Sequence, residues 1–304
     1  MAFLYEKIQL RGREGLEITG YDGTAKKLYI PSEIDGLPVL SIGKHAFSDS
    51  NKGLTEVQLP DSVEVIKAFA FYFCSELHRI VLSDSVTDYY DGAIRTSSGI
   101  NDIEINMDSD DSELAHRILG DSDRRMRMTF CFRNMDNSKL RLVFPAYNSN
   151  SIEDTRAQTF HIRIEGSGFS YRECVRQDGI RIKEYDSLFR KALADNPEVS
   201  TEIAVGRLMY PTWLSETDAD NYREHLRSDI YRALRLAAEP ENDGWIELFI
   251  KEELLDEEAL DYALKTASER KQTELTGMLM EYRRNKFKPK TDKVLSLDEL
   301  DFEL

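Results

Sequence analysis

The chain repeats itself. LTEVQLPDSVEVIKAFAFYFCSE starts at Leu54, LHRIVLSDSVTDYYDGAIRTSSG at Leu77 and INDIEINMDS at Ile100, so successive copies begin 23 residues apart. Leu54, Leu77 and Ile100 correspond, as do Val57, Ile80 and Ile103, and Leu59, Leu82 and Ile105. Each copy opens with an L-x-x-V-x-L frame whose alternation predicts a short strand with one buried face. Beyond the strand Ile42, Ile66 and Tyr89 correspond, followed four residues later by Ala46, Ala70 and Ala93. A small residue recurring at that point predicts a chain that crosses close to the neighbouring copy. The phrase IPSEIDGLPVLSIGKHAF (30–47) is an earlier copy, returning shortened as LPDSVEVIKAFAF (59–71). One such unit cannot bury its apolar face alone, whereas stacked units join their faces into a continuous core. The first third of the chain is therefore expected to be a solenoid.

A period of this length with this frame is the signature of leucine-rich repeats. The phrases SIGKHAF and VIKAFAF, with LPDSV between strand and turn, resemble the BspA-like class of bacterial leucine-rich repeats over residues 16–106. That resemblance implies an adhesion or interaction module, a role often exercised at cell surfaces. In the strand register the displayed positions are Lys27 and Tyr29, Glu56 and Gln58, Arg79 and Val81, Asp102 and Glu104. These eight are the candidate partner-binding residues, with Tyr29 and Arg79 the expected anchors because Tyr and Arg dominate interfaces.

From residue 108 the text changes. The carboxylates of DSDDSELAHRIL lack the glycine and twelfth-position glutamate of a calcium loop, and suit a helix start instead. This helix and the strands after it are expected to cover the open end of the solenoid. MRMTFCFR (126–133), KLRLVFPA (139–146) and TFHIRIE (159–165) alternate as strands of a small antiparallel sheet. GSGFSY at 166 holds two glycines of a dinucleotide fingerprint and reads as a turn.

After residue 183 the period becomes helical. LRLAAEPENDGWIELFI from Leu234 returns as LKTASERKQTELTGMLM from Leu264, matching Ala237 with Ala267, Trp245 with Leu275, Leu248 with Met278 and Phe249 with Leu279. Such helix pairs resemble those of ankyrin repeats, although the usual TPLH phrase is missing. The basic run RRNKFKPK suits a helix C-terminus, and KTDKVLSLDELDFEL is an acidic tail, frayed or docked. The expected fold is thus mixed α and β: a short leucine-rich-repeat solenoid (1–119), a small antiparallel β region (120–182), an ankyrin-like α-helical array (183–287) and a tail (288–304).

Chemistry is sparse. The five histidines, His45, His78, His116, His161 and His225, fall in different segments and form no metal-ligand pair such as HExxH. Cys74, Cys131 and Cys174 form no CxxC, and GLPVLSIGK (36–44) spaces its glycines wrongly for a phosphate loop. No catalytic, cofactor or metal site is expected. A net charge of −16 and a pI near 4.9 argue against general nucleic-acid binding. No apolar run reaches the length of a membrane span, and MAFLYEKIQL meets charge too early for a signal peptide. The expectation is a non-enzymatic, cytoplasmic, protein-binding scaffold. The alternative is a cell-surface adhesion or carbohydrate-binding module, which a signal peptide upstream in the gene would favour.

Overall fold

Residues 2–22 form a hairpin of β1 (Ala2–Leu10) and β2 (Arg13–Asp22). The repeats then contribute strands in alternation: β3 (Lys27–Tyr29), β4 (Glu33–Ile34), β5 (Leu37–Ile42), β6 (Glu56–Gln58), β7 (Val65–Ile66), β8 (Arg79–Ser83), β9 (Asp88–Tyr89) and β10 (Asp102–Met107). In this computed structural model residues 2–48, 53–95, 97–154 and 159–287 are described, and the chain divides into two compact units, Met1–Tyr222 and Arg223–Leu304. The tail from 288 and the end of RRNKFKPK lie outside the described residues, as does the side chain of His161.

The L-x-x-V-x-L frames pair in parallel with the expected register. Lys27 faces Glu56, Glu56 faces Arg79 and Arg79 faces Asp102, while Leu28, Val57, Ile80 and Ile103 line up between them. The second halves form the other wall, β2-β5-β7-β9, with Ile18, Ile42, Ile66 and Tyr89 in one row. The inward rows of both sheets are buried. Each fully buried aliphatic side chain contributes roughly 1.5–3 kcal/mol, so the repeat is stabilised by its own periodicity.

The small-residue column behaves as its spacing implies. Ala46, Ala70 and Ala93 are all buried, and the carbonyls of the latter two accept from the preceding coil: Phe47 N donates to Ala70 O at 2.8 Å and Phe71 N to Ala93 O at 2.9 Å. Backbone that close leaves no room for a longer side chain. Ala70→Leu should therefore destabilise the first unit by about 1–3 kcal/mol, measured by denaturant titration. An unchanged midpoint would mean that the coils do not stack in this register. One column earlier, His45 (φ 59°), Phe69 (φ 58°) and Gly92 (φ 83°) all adopt the left-handed conformation. Only the third copy uses glycine there. The two side-chain rings stack at 5.7 Å with planes 9° apart, an attraction that offsets strain at bulky positions.

The open end of the repeat sheet is covered by continuation. Helix α1 (Glu113–Gly120) forms where SELAHRIL predicts it, burying Leu114, Ala115, Ile118 and Leu119. Its first amide is capped by Asp111, whose Oδ1 accepts from Glu113 N at 2.8 Å. Next, β11 (Met126–Phe132) pairs in parallel with β10 and antiparallel with β12 (Ser138–Phe144). The strands expected at 126–133 and 139–146 are thus antiparallel to each other but extend the solenoid's sheet. The third, β14 (Thr159–Glu165), makes a separate hairpin with β13 (Asn148–Asp154).

The expected turn at GSGFSY is one residue pair long. Gly166 is left-handed, and α2 (Gly168–Arg172) starts at Gly168, where a Cβ would stand 2.1 Å from Pro145 O. After β15 (Val175–Arg176) and β16 (Gly179–Ile180) come α3 (Ile182–Ser187), α4 (Phe189–Asp195) and α5 (Pro197–Met209). Helix α5 begins with Pro197 and is capped by Asn196, whose side chain accepts from Glu198 N and Val199 N. Buried on all sides from Val199 to Leu208, it packs on β12. Helix α6 (Glu216–Ser228) follows.

The second unit holds two helix pairs, α7 (Ile230–Ala237) with α8 (Trp245–Lys251) and α9 (Glu257–Glu269) with α10 (Thr273–Lys286). The matched Phe249 and Leu279 are both fully buried, whereas Leu275 and Met278 are half-buried where the matching Trp245 and Leu248 are buried. The whole is a solenoid followed by a helical array.

Candidate functional site: the outer face of the repeat sheet

Period-2 alternation puts Leu28, Val57, Ile80 and Ile103 in the core, and leaves their neighbours on the outer face. Seven of the eight expected residues stand there at least partly open to solvent, and the pairing brings all eight into two adjacent rows. One row reads Lys27, Glu56, Arg79, Asp102; the other reads Tyr29, Gln58, Val81, Glu104. Exposure falls along the sheet. Tyr29 on the edge strand is 61% exposed, whereas Val81 on the central β8 is 7% exposed.

Val81 corrects the sequence expectation. Arg79 lies two residues earlier on the same face, and its guanidinium reaches Glu104, the direct cross-strand neighbour of Val81. Val81, flanked on its face by that diagonal pair, is buried and belongs to the floor, not to the contact surface.

The alternating charges are linked. Lys27 Nζ lies 2.9 Å from Glu56 Oε2, and Arg79 lies 3.9 Å from Glu56, 3.0 Å from Asp102 and in contact with Glu104. Burial works against the Arg79 charge, but Asp102, Glu104 and Glu56 more than offset it, so its pKa is raised. The hydrogen bond from Lys27 to Glu56 likewise raises the Lys27 pKa. Arg79 is therefore the centre of a network that holds three carboxylates in fixed positions, with Asp102 Oδ1 left as a buried acceptor without a partner.

The rows continue where the repeat phrase no longer marks them. Asp102 faces Arg127 and Glu104 faces Thr129 on β11, and Thr129 faces Arg141 on β12. Arg127 and Arg125 reach Glu202 of α5, while Arg141 Nε donates to Thr129 Oγ1 at 3.0 Å beneath the Tyr210 ring. Burial lowers the Arg141 pKa. The odd-numbered polar positions of MRMTFCFR were the available signal: they share the parity of the displayed rows. Helix α5 covers this end, so the open part of the face is the ledge from β3 to β10.

Two of the three cysteines, Cys131 and Cys174, are buried. Burial pushes the Cys131 thiol up to about 11 and the Cys174 thiol up to about 12. At neutral pH both are thiols, not thiolates. His78 and His116 hydrogen-bond to the carbonyls of Gly99 and Val175. Among the described residues no group of three or more His, Cys, Asp or Glu could hold a metal ion, and no helix is long and apolar enough to cross a membrane.

A strand-and-turn coil repeated in parallel with a buried leucine row defines a leucine-rich-repeat solenoid. Residues 24–113 match the family model for the BspA type leucine rich repeat region in six copies, and this part of the chain is a repeat region of that type. Among solved structures the chain is similar to a leucine rich cell surface protein from Faecalibacterium prausnitzii at 27% identity, over 38% of this chain and 32% of that one, with a TM-score of 0.28. A leucine-rich repeat protein from Bacteroides ovatus matches at 24% identity over 35% of this chain and 30% of that one, with a TM-score of 0.28. A T. pallidum leucine rich repeat protein matches at 22% identity over 33% of this chain and 68% of that one, with a TM-score of 0.24. The chain thus spans about a third of the length of the first two. Comparison with curated proteins gave no match.

Proposed function

We propose that this protein is a non-enzymatic adaptor that binds another protein through the outer face of its repeat sheet. The observation that carries the reading is Tyr29, a large aromatic held in water on a rigid strand beside an ordered row of charges. Lys27 and Gln58 flank it as exposed polar groups, and Glu56, Asp102 and Glu104 offer acceptors whose positions Arg79 maintains. A polar face of this kind favours a specific contact, because a wrong partner leaves the carboxylates desolvated and unpaired.

The test is affinity capture from the native lysate at physiological salt, followed by titration of the captured protein against variants. Tyr29→Ala should weaken binding by about 1–2 kcal/mol with the melting temperature unchanged, and Val81→Ala should affect stability more than binding. A captured protein that binds Tyr29→Ala with wild-type affinity would sink this reading of the sheet face, as would a lysate from which nothing is enriched.

A further inference from the structure

The second unit carries an aromatic feature that its core does not need. Ile230, Ala233 and Leu234 of α7 and Ala259, Leu260 and Ala263 of α9 are buried between the helices. Tyr231 and Tyr262 on the same two helices remain 47% and 40% exposed. Their ring centroids lie 5.6 Å apart with planes at 87°, so the rings form two walls of an open corner. Glu258 stands four residues before Tyr262, one turn along α9 and on the same face. Its carboxylate enters no hydrogen bond or ion pair among the described residues. Desolvation, and then the charges of Glu258 and Asp256, raise the Tyr231 phenol above its ordinary pKa, so both charges act on that ring.

Aromatic faces attract cations through their quadrupole, and a carboxylate at the rim adds direct charge attraction. Two cations of this unit are already engaged: Arg232 of α7 pairs with Asp229 at 2.5 Å and Arg283 of α10 with Asp261 at 2.9 Å. The segment KEELLDEEALD (251–261), which leads into α9 and carries Glu258, is rich in acids, and the chain as a whole carries −16. That field concentrates basic ligands at the surface and repels acidic ones. We propose that Tyr231, Tyr262 and Glu258 form a binding site for a cationic side chain, lysine or arginine, presented by a basic protein segment. The site belongs to the second unit and stands independently of the sheet face of the first.

The probe is a hexalysine peptide, titrated calorimetrically into the full chain at physiological salt. Tyr231→Leu and Tyr262→Leu should each weaken binding by about 2- to 5-fold, the range a surface cation–π contact supplies. Tyr262→Phe should bind like wild type, Glu258→Gln should weaken binding, and Glu281→Gln, an exposed acid on α10, should leave it unchanged. Equal binding by wild type and both leucine variants would overturn the proposal. So would a loss in Glu281→Gln as large as that in Glu258→Gln, since only general charge would then be at work. A second readout is independent of the leucine variants' folding. In protein labelled with 3-fluorotyrosine, the Tyr262 resonance, assigned by its loss in Tyr262→Phe, should move as hexalysine is added. A Tyr262 signal that stays still through saturation rules the site out.

Discussion

Asp186→Ala should destabilise the first unit by about 3–5 kcal/mol, lowering its melting temperature by roughly 6–20 °C. Asp186 and Arg207 are the most deeply buried ion pair among the described residues, with side-chain exposures of 1% and 0%. The contact is bidentate: Arg207 Nε donates to Asp186 Oδ1 at 2.9 Å and Nη2 to Oδ2 at 3.0 Å. Tyr222 OH also donates to Oδ1 at 2.7 Å, and Arg207 Nη1 reaches Thr212 O at 3.2 Å. Burial works against the Arg207 charge, and the Asp186 contact more than offsets it, so its pKa is raised. Removing the carboxylate leaves that guanidinium desolvated with one carbonyl for company. The magnitude thus comes from the abandoned charge, not from the net value of the pair. The double replacement Asp186→Leu with Arg207→Met separates the two, because it strands no charge. It should be markedly more stable than Asp186→Ala alone. A single variant no less stable than the double would contradict this account.

Phe71→Ala should cost about 3–5 kcal/mol in the same denaturant measurement. Phe71 is 1% exposed and Phe47 is fully buried, and their rings stack at 5.4 Å with planes 10° apart. They occupy equivalent positions in successive coils, one residue beyond the Ala46 and Ala70 column. Deleting the ring creates a cavity that the coils cannot close, because backbone hydrogen bonds hold them at fixed spacing on both sides. Phe71→Leu keeps most of the volume and should cost clearly less. If Phe71→Ala and Phe71→Leu proved equally mild, the ring pair would not be part of a continuous core.

Much of the first unit was legible because a solenoid is nearly one-dimensional. Each coil contacts its neighbours, so the 23-residue period carries the pairing partner, the register and the inward row together. The rows Glu56, Arg79, Asp102 and Gln58, Val81, Glu104 follow from that period alone, whereas Lys27 and Tyr29 join them across a longer first copy, 29 residues before Glu56 and Gln58. The continuation through Arg127, Thr129 and Arg141 was less visible, since β11 and β12 keep the alternation but lose the repeat phrase. Glu202 was not legible at all. It lies on a helix buried on all sides, where no amphipathic stripe points to its partners.

The sequence by itself determined the coil, its period, the parity of the repeat strands' residues and two successive helix pairs, because these depend on local alternation and on similar neighbours. Only the tertiary structure decided which displayed residues are free. Val81 has the parity of a surface residue, yet it is buried on the central β8, flanked by the diagonal pair of Arg79 and Glu104. Tyr231 and Tyr262 fall a full helix apart in the chain, and only the packing of α7 against α9 sets their rings at right angles beside Glu258. Periodicity assigns a residue to a face; what else lies on that face depends on long side chains and distant segments, whose positions no local pattern encodes.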